Sequence, residues 1–283
     1  MTASEVTTTY RPTLLSIAYR MTGEIMVSED IVQDVLLNWM NRSSEGVQDV
    51  KAYLAKSVMN SSLNYLAQAK RQREAYKGVW LPEPVLASQH AVDAKVDISY
   101  GFMLLLEKLS PMERAVFLLK ESFDVTYPEL AELFETTETN SRQLYHRAKE
   151  KISGSTRRFQ LDPKQQQELL DAFAKSSETG NLESLIHLLK TDVALYTDSG
   201  GKVPSAVKTL FGRAVIEQFL RALDAKFGDQ FSMRSAIING EPALLFTQKD
   251  TRQLSTVMVL EMDDTGISGI YTIRNPDKLA QLQ

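Results

Sequence analysis

The sequence predicts a multidomain protein in which two all-α modules are followed by one α+β domain. Apolar residues recur at helical spacing through about the first 150 residues, which is the pattern of amphipathic helices. A proline-containing stretch at roughly residues 74–97 interrupts this pattern and indicates a linker. Beyond Gly154 the pattern changes to helices followed by β-like runs, an order typical of an α+β domain of about 120 residues.

The composition of this 283-residue chain is that of an ordinary globular protein, with 43% hydrophobic and 24% charged residues. The absence of cysteine excludes disulfides, cysteine-based zinc sites and cysteine nucleophiles, and it agrees with a reducing cytosol. Met1–Tyr10 lacks the basic and apolar parts of a signal peptide, and no apolar run reaches the roughly 18 residues of a membrane span. We therefore expect a cytoplasmic protein that does not enter a membrane.

The net charge of −4 argues against a protein that coats nucleic acid by bulk charge. Any contact with nucleic acid must then come from local basic patches, and each patch could equally be a solvated helix face. The two patches are Lys70, Arg71, Arg73 and Lys77, and further along Arg142, Arg147, Lys149, Lys151, Arg157 and Arg158.

The first module is predicted to contain three helices. Leu14–Met21 has helical spacing, and Gly23 can end this helix. Ser28-Glu29-Asp30 suits the start of a second helix, because carboxylates are stabilised at the positive end of the helix dipole. The polar stretch Asn41–Gly46 is predicted to be a loop, and a third helix is expected from about Val47 to Arg73.

The second module has strong helix-start signals and a helix-turn-helix pattern. Ser110-Pro111 with Glu113 combines an N-cap, a proline at the first helical position and an acidic first turn, and Thr126 with Pro128 repeats the arrangement. A polar turn at Glu135–Thr137, in which Thr137 can cap, precedes a helix over 138–152. This pattern could be an ordinary helical hairpin or a DNA reader. In a DNA reader the residues of the second helix that meet base edges would be Glu138, Thr139, Asn140, Arg142 and Gln143.

The last part of the chain is predicted to fold as helices and then strands. Two helices separated by Gly180-Asn181 are expected between Pro163 and about Lys190. A short strand, Ala194–Thr197, leads into the tight turn Asp198–Lys202. A helix at Arg213–Lys226 is then followed by β-like runs at Phe231–Ile238, Ala243–Gln248, Leu254–Met262 and Ile267–Ile273.

Motifs in both helical modules resemble those of a known family. The motifs in the first module are Arg11-Pro12, Ala18–Met21 and Glu29–Asp34; those in the second are Ser110–Leu119, Arg142–Leu144 and His146–Lys149. They resemble regions 2 and 4 of the extracytoplasmic-function (ECF) sigma factors.

Three further motifs are similar to those of the ECF subgroup with a C-terminal SnoaL-like extension. They are Trp80–Pro84, Asp198–Lys202, with serine where a glycine is usual, and Asn275–Leu279. The resemblance implies a conical α+β domain like that of ketosteroid isomerase-like enzymes. It also implies region 2 at residues 1–76, a linker at 77–98, region 4 at 99–158 and the SnoaL-like domain at 159–283.

The resemblance implies a promoter-specific transcription initiation factor that binds core RNA polymerase, through its β′ and β subunits, and promoter DNA. Region 2 would capture the −10 element with the loop at 41–48 and the helix after it, and region 4 would read the −35 element as duplex. The C-terminal domain would modulate activity, with the sign of its effect left open. We expect no catalytic residues, no cofactor and no bound metal.

The resemblance also implies site residues. Those for the −35 element are Glu138, Thr139, Asn140, Arg142, Gln143, His146 and Arg147. Those for the −10 element are Lys56, Asn60, Asn64, Arg71 and Arg73. Those for the polymerase β′ subunit are Glu29, Asp30, Gln33 and Asp34. Those for interdomain regulation are Trp80, Pro82, Glu83, Asp198, Gly200, Gly201, Lys202, Asn275, Pro276 and Asp277.

Two alternatives remain for the C-terminal domain. It could be an enzyme of the isomerase or cyclase class, which would need a pocket carboxylate with a raised pKa; only Asp198 and scattered acidic residues are candidates. His187, the histidine of this half, is interpreted as a packing or surface residue rather than a base. The domain could instead bind a small-molecule ligand or regulator that alters promoter use.

Overall fold

The chain folds as two compact units. The computed structural model describes residues 3–41, 47, 49–86, 96, 98–153, 183–206, 208–263 and 265–282. The helical unit holds the described residues within 1–74, 90–98 and 102–156, and the sheet unit holds those within 75–89, 99–101 and 157–283. The described linker residues that follow Glu74, and then Ser99–Gly101, therefore group with the sheet.

The helical unit confirms the predicted all-α character of the first part of the chain. α1, α2 and α3 pack on one another, α7 packs on α5 and α6, and α5 also contacts α1 and α3. The helices are α1 (Ala3–Thr22), α2 (Ile25–Met40), α3 (Val50–Glu74), α4 (Tyr100–Glu107), α5 (Pro111–Phe123), α6 (Tyr127–Leu133) and α7 (Glu138–Ser153).

The predicted caps of the second module are confirmed. Ser110 and Thr126 each form a capping box with the glutamate three residues on, and each precedes a proline in the first turn. The Asn140 backbone N–H donates to Thr137 Oγ1 at 3.1 Å, so Thr137 caps α7 as expected. These local hydrogen bonds determine where α5, α6 and α7 begin.

The predicted start of α2 is wrong, because the helix begins at Ile25 and Ser28 lies inside it. Ser28 Oγ donates to the Glu24 carbonyl at 2.6 Å and lies 2.8 Å from Thr22 Oγ1. The serine hydroxyl therefore bonds back to the preceding turn and to the end of α1, instead of capping a new helix.

The sheet unit confirms the α+β class of the C-terminal part. Its described strands form one sheet in the order β2-β1-β6-β5-β4-β3, in which β1 and β6 are parallel and the other pairs are antiparallel. The elements are α8 (Glu183–Leu188), β1 (Leu189–Asp198), β2 (Leu210–Phe211), α9 (Arg213–Phe227), β3 (Phe231–Ile238), β4 (Glu241–Gln248), β5 (Leu254–Asp263), β6 (Gly266–Ile273) and α10 (Pro276–Leu279).

Several boundaries in this unit differ from the prediction, and one strand was missed. The helix expected to reach Lys190 ends at Leu188, because Leu189 pairs with Ile267 and β1 starts there. The short strand β2 was not predicted, since two residues carry no periodic signal. Three predicted features lie outside the described residues: the first of the two helices expected between Pro163 and Lys190, the basic residues Arg157 and Arg158, and most of the loop at 41–48.

The two faces of the sheet differ in chemistry. Side chains alternate between faces along a strand, and on one face Leu195, Leu260 and Ile270 join α8 and α9 in an apolar core. The alternating neighbours Tyr196 and Tyr271 stack on the other face, with ring centroids 5.4 Å apart. This second face carries the polar groups that bind the linker.

Candidate functional site

Asp198, at the end of β1, is the centre of a buried hydrogen-bond network. Its side chain is 0% exposed. Oδ1 accepts from the Tyr76 hydroxyl at 2.5 Å and from the Gly200 N–H at 3.1 Å. Oδ2 accepts from the Leu81 N–H at 2.8 Å and from Lys278 Nζ at 2.8 Å. The carboxylate is therefore compensated by four donors, two of which belong to the linker.

Lys278, in α10, completes this network. Its ammonium group also donates to the Leu81 carbonyl and lies 4.1 Å from the ring centroid of Trp80 and 5.2 Å from that of Tyr76. An ammonium group over an aromatic face is attracted by the ring quadrupole, and desolvation strengthens the attraction. The linker thus contributes both a carbonyl and two rings to one buried cation.

The glycine turn after Asp198 fits closely against the C-terminal motif. Gly200 and Gly201 have φ of +59° and +70°, a backbone region that favours glycine. A Cβ on Gly200 would lie 2.7 Å from Asn275 Nδ2, which itself donates to the Tyr76 hydroxyl at 2.9 Å. Burial, followed by the hydrogen bond to Asp198, raises the pKa of Tyr76 above its ordinary value, so the phenol stays protonated.

The structure thus brings together most of the residues predicted for interdomain regulation. Trp80, Asp198, Gly200 and Asn275 belong to this network, Gly201 lies in the turn beside it, and the Pro82 carbonyl accepts from the Tyr100 hydroxyl at 3.0 Å. The others lie around it: Glu83 is half-buried, Pro276 opens α10, and Lys202 and Asp277 form an exposed ion pair. Tyr76, Leu81 and Lys278 were not predicted as functional candidates from the sequence, although Leu81 and Lys278 lie within motifs that the sequence singles out.

The recognition-helix candidates of α7 lie in different environments. Glu138 and Arg142 are paired with each other, and the Arg142 guanidinium lies 4.4 Å from the ring centroid of Tyr127. Asn140 Nδ2 donates to Thr136 Oγ1 at 2.8 Å, which turns this amide toward the turn before the helix. Thr139 and Gln143 are exposed one turn apart.

The second half of α7 lines a cleft and pairs with a buried carboxylate of α5. His146 pairs with Glu150 at 3.5 Å, and both line a cleft of about 430 Å³ with Tyr127, Arg142, Tyr145 and Lys149. Arg147 lies 3.9 Å from Glu113, which also accepts from Lys151 at 2.7 Å. Burial opposes ionisation of Glu113, but hydrogen bonds from Lys151 and Ser110 outweigh it and lower its pKa.

The −10 candidates do not share one face of α3. Asn60, Asn64 and Arg71 are exposed, and Lys56 is half-buried. Arg73 instead turns toward the other helices, where it donates to the Thr22 carbonyl and pairs with Glu24 at 3.0 Å and Glu107 at 3.5 Å. The basic patch at the end of α3 is therefore divided between solvent and a helix interface.

The polymerase candidates lie on the outer side of α2 with exposed apolar residues. Asp30, Gln33 and Asp34 are exposed, whereas Glu29 is half-buried and pairs with Arg11 at 3.3 Å. Met26, Leu37 and Met40, at 44–47% exposure, share a stripe with Asp30 and Gln33 at helical spacing. Sequence reasoning missed these three apolar residues, and their spacing was the signal that could have found them.

The apolar face of the sheet offers little to acid–base chemistry. The buried cluster on that face consists of Leu, Ile, Val and Met side chains. His187 is exposed on α8, which confirms its interpretation as a surface histidine. Within the described part of the chain, no group of three or more His, Asp or Glu side chains could hold a metal ion. No described helix is long and apolar enough to cross a membrane.

Comparisons with known proteins agree with this architecture. The family models of sigma-70 region 2 and sigma-70 region 4 match residues 6–72 and 101–152. The chain is 31% identical to the ECF RNA polymerase sigma factor SigJ of Mycobacterium tuberculosis over 282 residues, which cover 95% of this chain and 90% of that protein. It is 25% identical to SigG of the same species, over 83% of this chain and 70% of that protein. The crystal structure of SigJ aligns with a TM-score of 0.77 and 30% identity, covering 99% of this chain and 98% of that one. These relatives are sigma factors and not enzymes.

Proposed function

Because this chain belongs to the ECF sigma factors of RNA polymerase, we propose that it directs core polymerase to specific promoters in the cytoplasm and that its C-terminal domain controls this activity through the linker. The single observation that carries the regulatory part is the burial of linker residues around Asp198. The segment that joins regions 2 and 4 is bound by a carboxylate and an ammonium group of the C-terminal domain.

Region 4 is proposed to read the −35 element with α7. Thr139 and Gln143 are exposed near the helix start, where a recognition helix meets base edges in the major groove. Arg142 is held by Glu138 and Tyr127, so its guanidinium is oriented before DNA arrives. Asn140, His146 and Arg147 complete the proposed set, with Arg147 suited to a phosphate.

Region 2 is proposed to hold the −10 element with the exposed side of α3. Asn60, Asn64 and Arg71 offer amide and guanidinium donors to unstacked bases and phosphates. Lys56 lies on the flank of this surface. Arg73 could join it only after leaving Glu24 and Glu107.

The stripe on α2 is proposed to bind the β′ subunit, while region 4 would meet the β subunit. Met26, Leu37 and Met40 give this stripe an apolar contact area, and Asp30 and Gln33 between them can bind basic partner residues. Asp34 and Glu29 flank it. Apolar anchors between polar groups are the usual composition of a protein interface.

The decisive experiment maps transcript starts after overexpression and then tests the shared promoter with purified protein and core polymerase. We expect run-off transcripts that depend on both promoter elements. The regulatory proposal is tested on that promoter with Asp198→Asn and Lys278→Met, which should change transcript yield, while Arg221→Ala, at an exposed ion pair away from the linker contacts, serves as the matched control. Background transcription from every mapped promoter would contradict the proposed function.

A small-molecule ligand is a second candidate for control of the C-terminal domain. Thr197 and Thr272 lie side by side in register on β1 and β6, and both hydroxyls are buried with no hydrogen-bond partner among the described residues. Such hydroxyls are the kind of group that a bound polar atom would satisfy. A thermal-shift screen against metabolites tests this, with Thr197→Val as the control that should abolish any stabilisation.

A further inference from the structure

The turn between β3 and β4 contacts the chain at two places outside the Asp198 network. Asn239 and Gly240 have φ of +54° and +77°, the conformation of a two-residue type I′ hairpin turn. Ile238 pairs with Glu241 across the turn, so the end of β3 lies directly opposite the start of β4. Asn239 is 2% exposed and Glu241 is 8% exposed, which is unusual for a polar hairpin turn.

One side of this turn binds the linker after its tryptophan motif. The Val85 N–H donates to Asn239 Oδ1 at 2.8 Å, and the Asn239 N–H donates to the Val85 carbonyl at 2.9 Å. Leu86 then forms a β-bridge with Ile238. Val85 is 1% exposed, so this contact is shielded from water.

The other side of the turn binds the start of region 4. The backbone N–H of Tyr100, the first residue of α4, donates to Glu241 Oε2 at 2.7 Å. A carboxylate at this position is stabilised by the positive end of the helix dipole. The Tyr100 side chain is 0% exposed and stacks on Tyr271, with ring centroids 5.4 Å apart. Its hydroxyl donates to the Pro82 carbonyl at 3.0 Å, which ties both ends of the linker to each other.

These contacts limit how far the linker can extend. The fourteen residue-to-residue steps from Leu86 to Tyr100 could span roughly 50 Å if extended at 3.3–3.6 Å per step. Their ends instead bind two residues that are paired across one hairpin, and such partners lie only about 5 Å apart. A duplex advances 3.4 Å per base step, so the roughly 25 steps between −35 and −10 elements span about 85 Å. Regions 2 and 4 must separate widely to contact both elements at once.

We propose that the β3–β4 turn is a clamp, with Asn239 and Glu241 as its two jaws, that closes the linker loop and keeps regions 2 and 4 from separating. The consequence for transcription rests on the proposed function, whereas the clamp itself concerns only this chain. Opening either jaw lengthens the reach between the two regions, and opening both gives the largest effect.

Hydrogen exchange on the full-length protein tests each jaw separately. Asn239→Gly keeps the positive φ and removes the side-chain amide with its Oδ1 acceptor, and it should speed exchange of the Val85 amide at least tenfold. Asn239→Asp is the matched control, because it keeps an acceptor in the same backbone conformation, and it should retain protection. Glu241→Ala should speed exchange of the Tyr100 amide to a similar degree. Equal exchange in Asn239→Gly and the unmodified protein would overturn the assignment of this jaw.

Distance measurements test the effect on the two regions. The chain has no cysteine, so Lys70→Cys in α3 and Glu132→Cys in α6, both at exposed positions, permit clean donor–acceptor labelling. The double variant Asn239→Gly/Glu241→Ala should shift the labels to longer distances and raise the affinity for core polymerase several-fold. An unchanged distance distribution, despite faster exchange at both jaws, would overturn the clamp.

Two further results distinguish a failure of the clamp from misfolding of the double variant and from failure of the proposed function. If the double variant loses protection throughout α9, Tyr100→Phe replaces it, because this variant keeps the ring that stacks on Tyr271 and removes the hydroxyl that binds the Pro82 carbonyl. It should lengthen the mean label distance by a smaller amount, and no change would count against the clamp. If the unmodified protein directs no transcription from any mapped promoter, the proposed function is overturned, but the exchange and distance results still stand.

Discussion

Asp198 in the sheet unit and Glu107 in the helical unit both join distant parts of the sequence, but they differ in their access to water. The side chains of Asp198 and Lys278 are 0% and 6% exposed. Glu107 pairs with Arg114 at 2.7 Å and with Arg73 at 3.5 Å, and its own side chain is 25% exposed. The first centre holds the linker on the C-terminal domain, and the second joins helices of regions 2 and 4.

The difference indicates which contact can open in water. Buried charges depend on one another, because each has lost its hydration and would be left uncompensated without its partner. Partly exposed pairs are hydrated and screened by salt, so they contribute little and can separate at low cost. The pair of Arg73 and Glu107 between regions 2 and 4, at 21% and 25% exposure, is therefore suited to opening, whereas the linker contact is suited to staying closed.

The largest expected effect is that of removing the Asp198 partner. Lys278→Met leaves a buried carboxylate without its cation and should lower the free energy of unfolding by about 3–5 kcal/mol. Urea denaturation followed by Trp and Tyr fluorescence measures this. The double variant Asp198→Asn/Lys278→Met removes both charges and should recover much of the loss. A loss below about 1 kcal/mol in the single variant would show that the ion pair is not buried in solution.

Asp263 provides an intermediate case, with a side chain that is 13% exposed. Burial opposes its ionisation, but bonds from Lys190 and Thr265 outweigh it and lower its pKa from 3.8 to about 2. A carboxyl group with a lowered pKa stabilises the fold above its ordinary pKa, and this is lost as pH falls from about 4 to 2. The loss should be about 2 kcal/mol, measured as urea midpoints against pH. Lys190→Met should weaken the fall of the urea midpoint between about pH 4 and 2. An unchanged fall would show that Lys190 does not lower the pKa of Asp263.

Removing the charge of Glu107 should lower the free energy of unfolding by less than Lys278→Met does, and this loss should depend on salt. Glu107→Gln leaves Arg114 its bond to the Met21 carbonyl, so we expect a loss of about 1 kcal/mol at low salt. The difference from the unmodified protein should shrink as NaCl rises from about 0.05 to 0.5 M, because the Debye length falls several-fold. For Lys278→Met, the difference in the free energy of unfolding from the unmodified protein should change little over the same range of NaCl. Equal salt dependence in the two variants would remove the distinction between the centres.

The smallest effect is expected at the exposed pair of Lys202 and Asp277, whose side chains are 51% and 66% exposed. Lys202→Ala should change the free energy of unfolding by at most about 0.5 kcal/mol, since both groups stay hydrated without each other. Thermal denaturation is a sufficient measurement. A larger loss would indicate that this lysine contributes through packing against the glycine turn and not through charge.

Local signals were enough to predict much of the fold. Ser110-Pro111 and Thr126 predict helix starts because their capping hydrogen bonds join residues within four positions of each other. The strands around Phe231–Ile238 were predicted for a similar reason, since their alternating pattern is local. The resemblance to ECF sigma factors then pointed to the motifs that the sheet unit brings together.

Other features could not be predicted because their partners lie far along the chain. Ser28 looks like a cap in sequence, but Thr22 and Glu24 determine what its hydroxyl does. Arg73 belongs to a basic patch in the sequence, but its ion pair with Glu107 places it at the contact between α3 and α4. The start of β1 at Leu189 depends on a parallel neighbour, β6, that follows more than 70 residues later.

The caps of α5, α6 and α7, the order of most helices and strands, and the family could be predicted from the amino-acid sequence, because each depends on residues that are close together or on motifs in order. Long-range packing, in contrast, groups the linker with the sheet, brings Asp198 and Lys278 into one buried site, and lets Asn239 and Glu241 hold the two linker ends. These features depend on which charges and amides lose water together, and that is settled only when distant segments pack against each other.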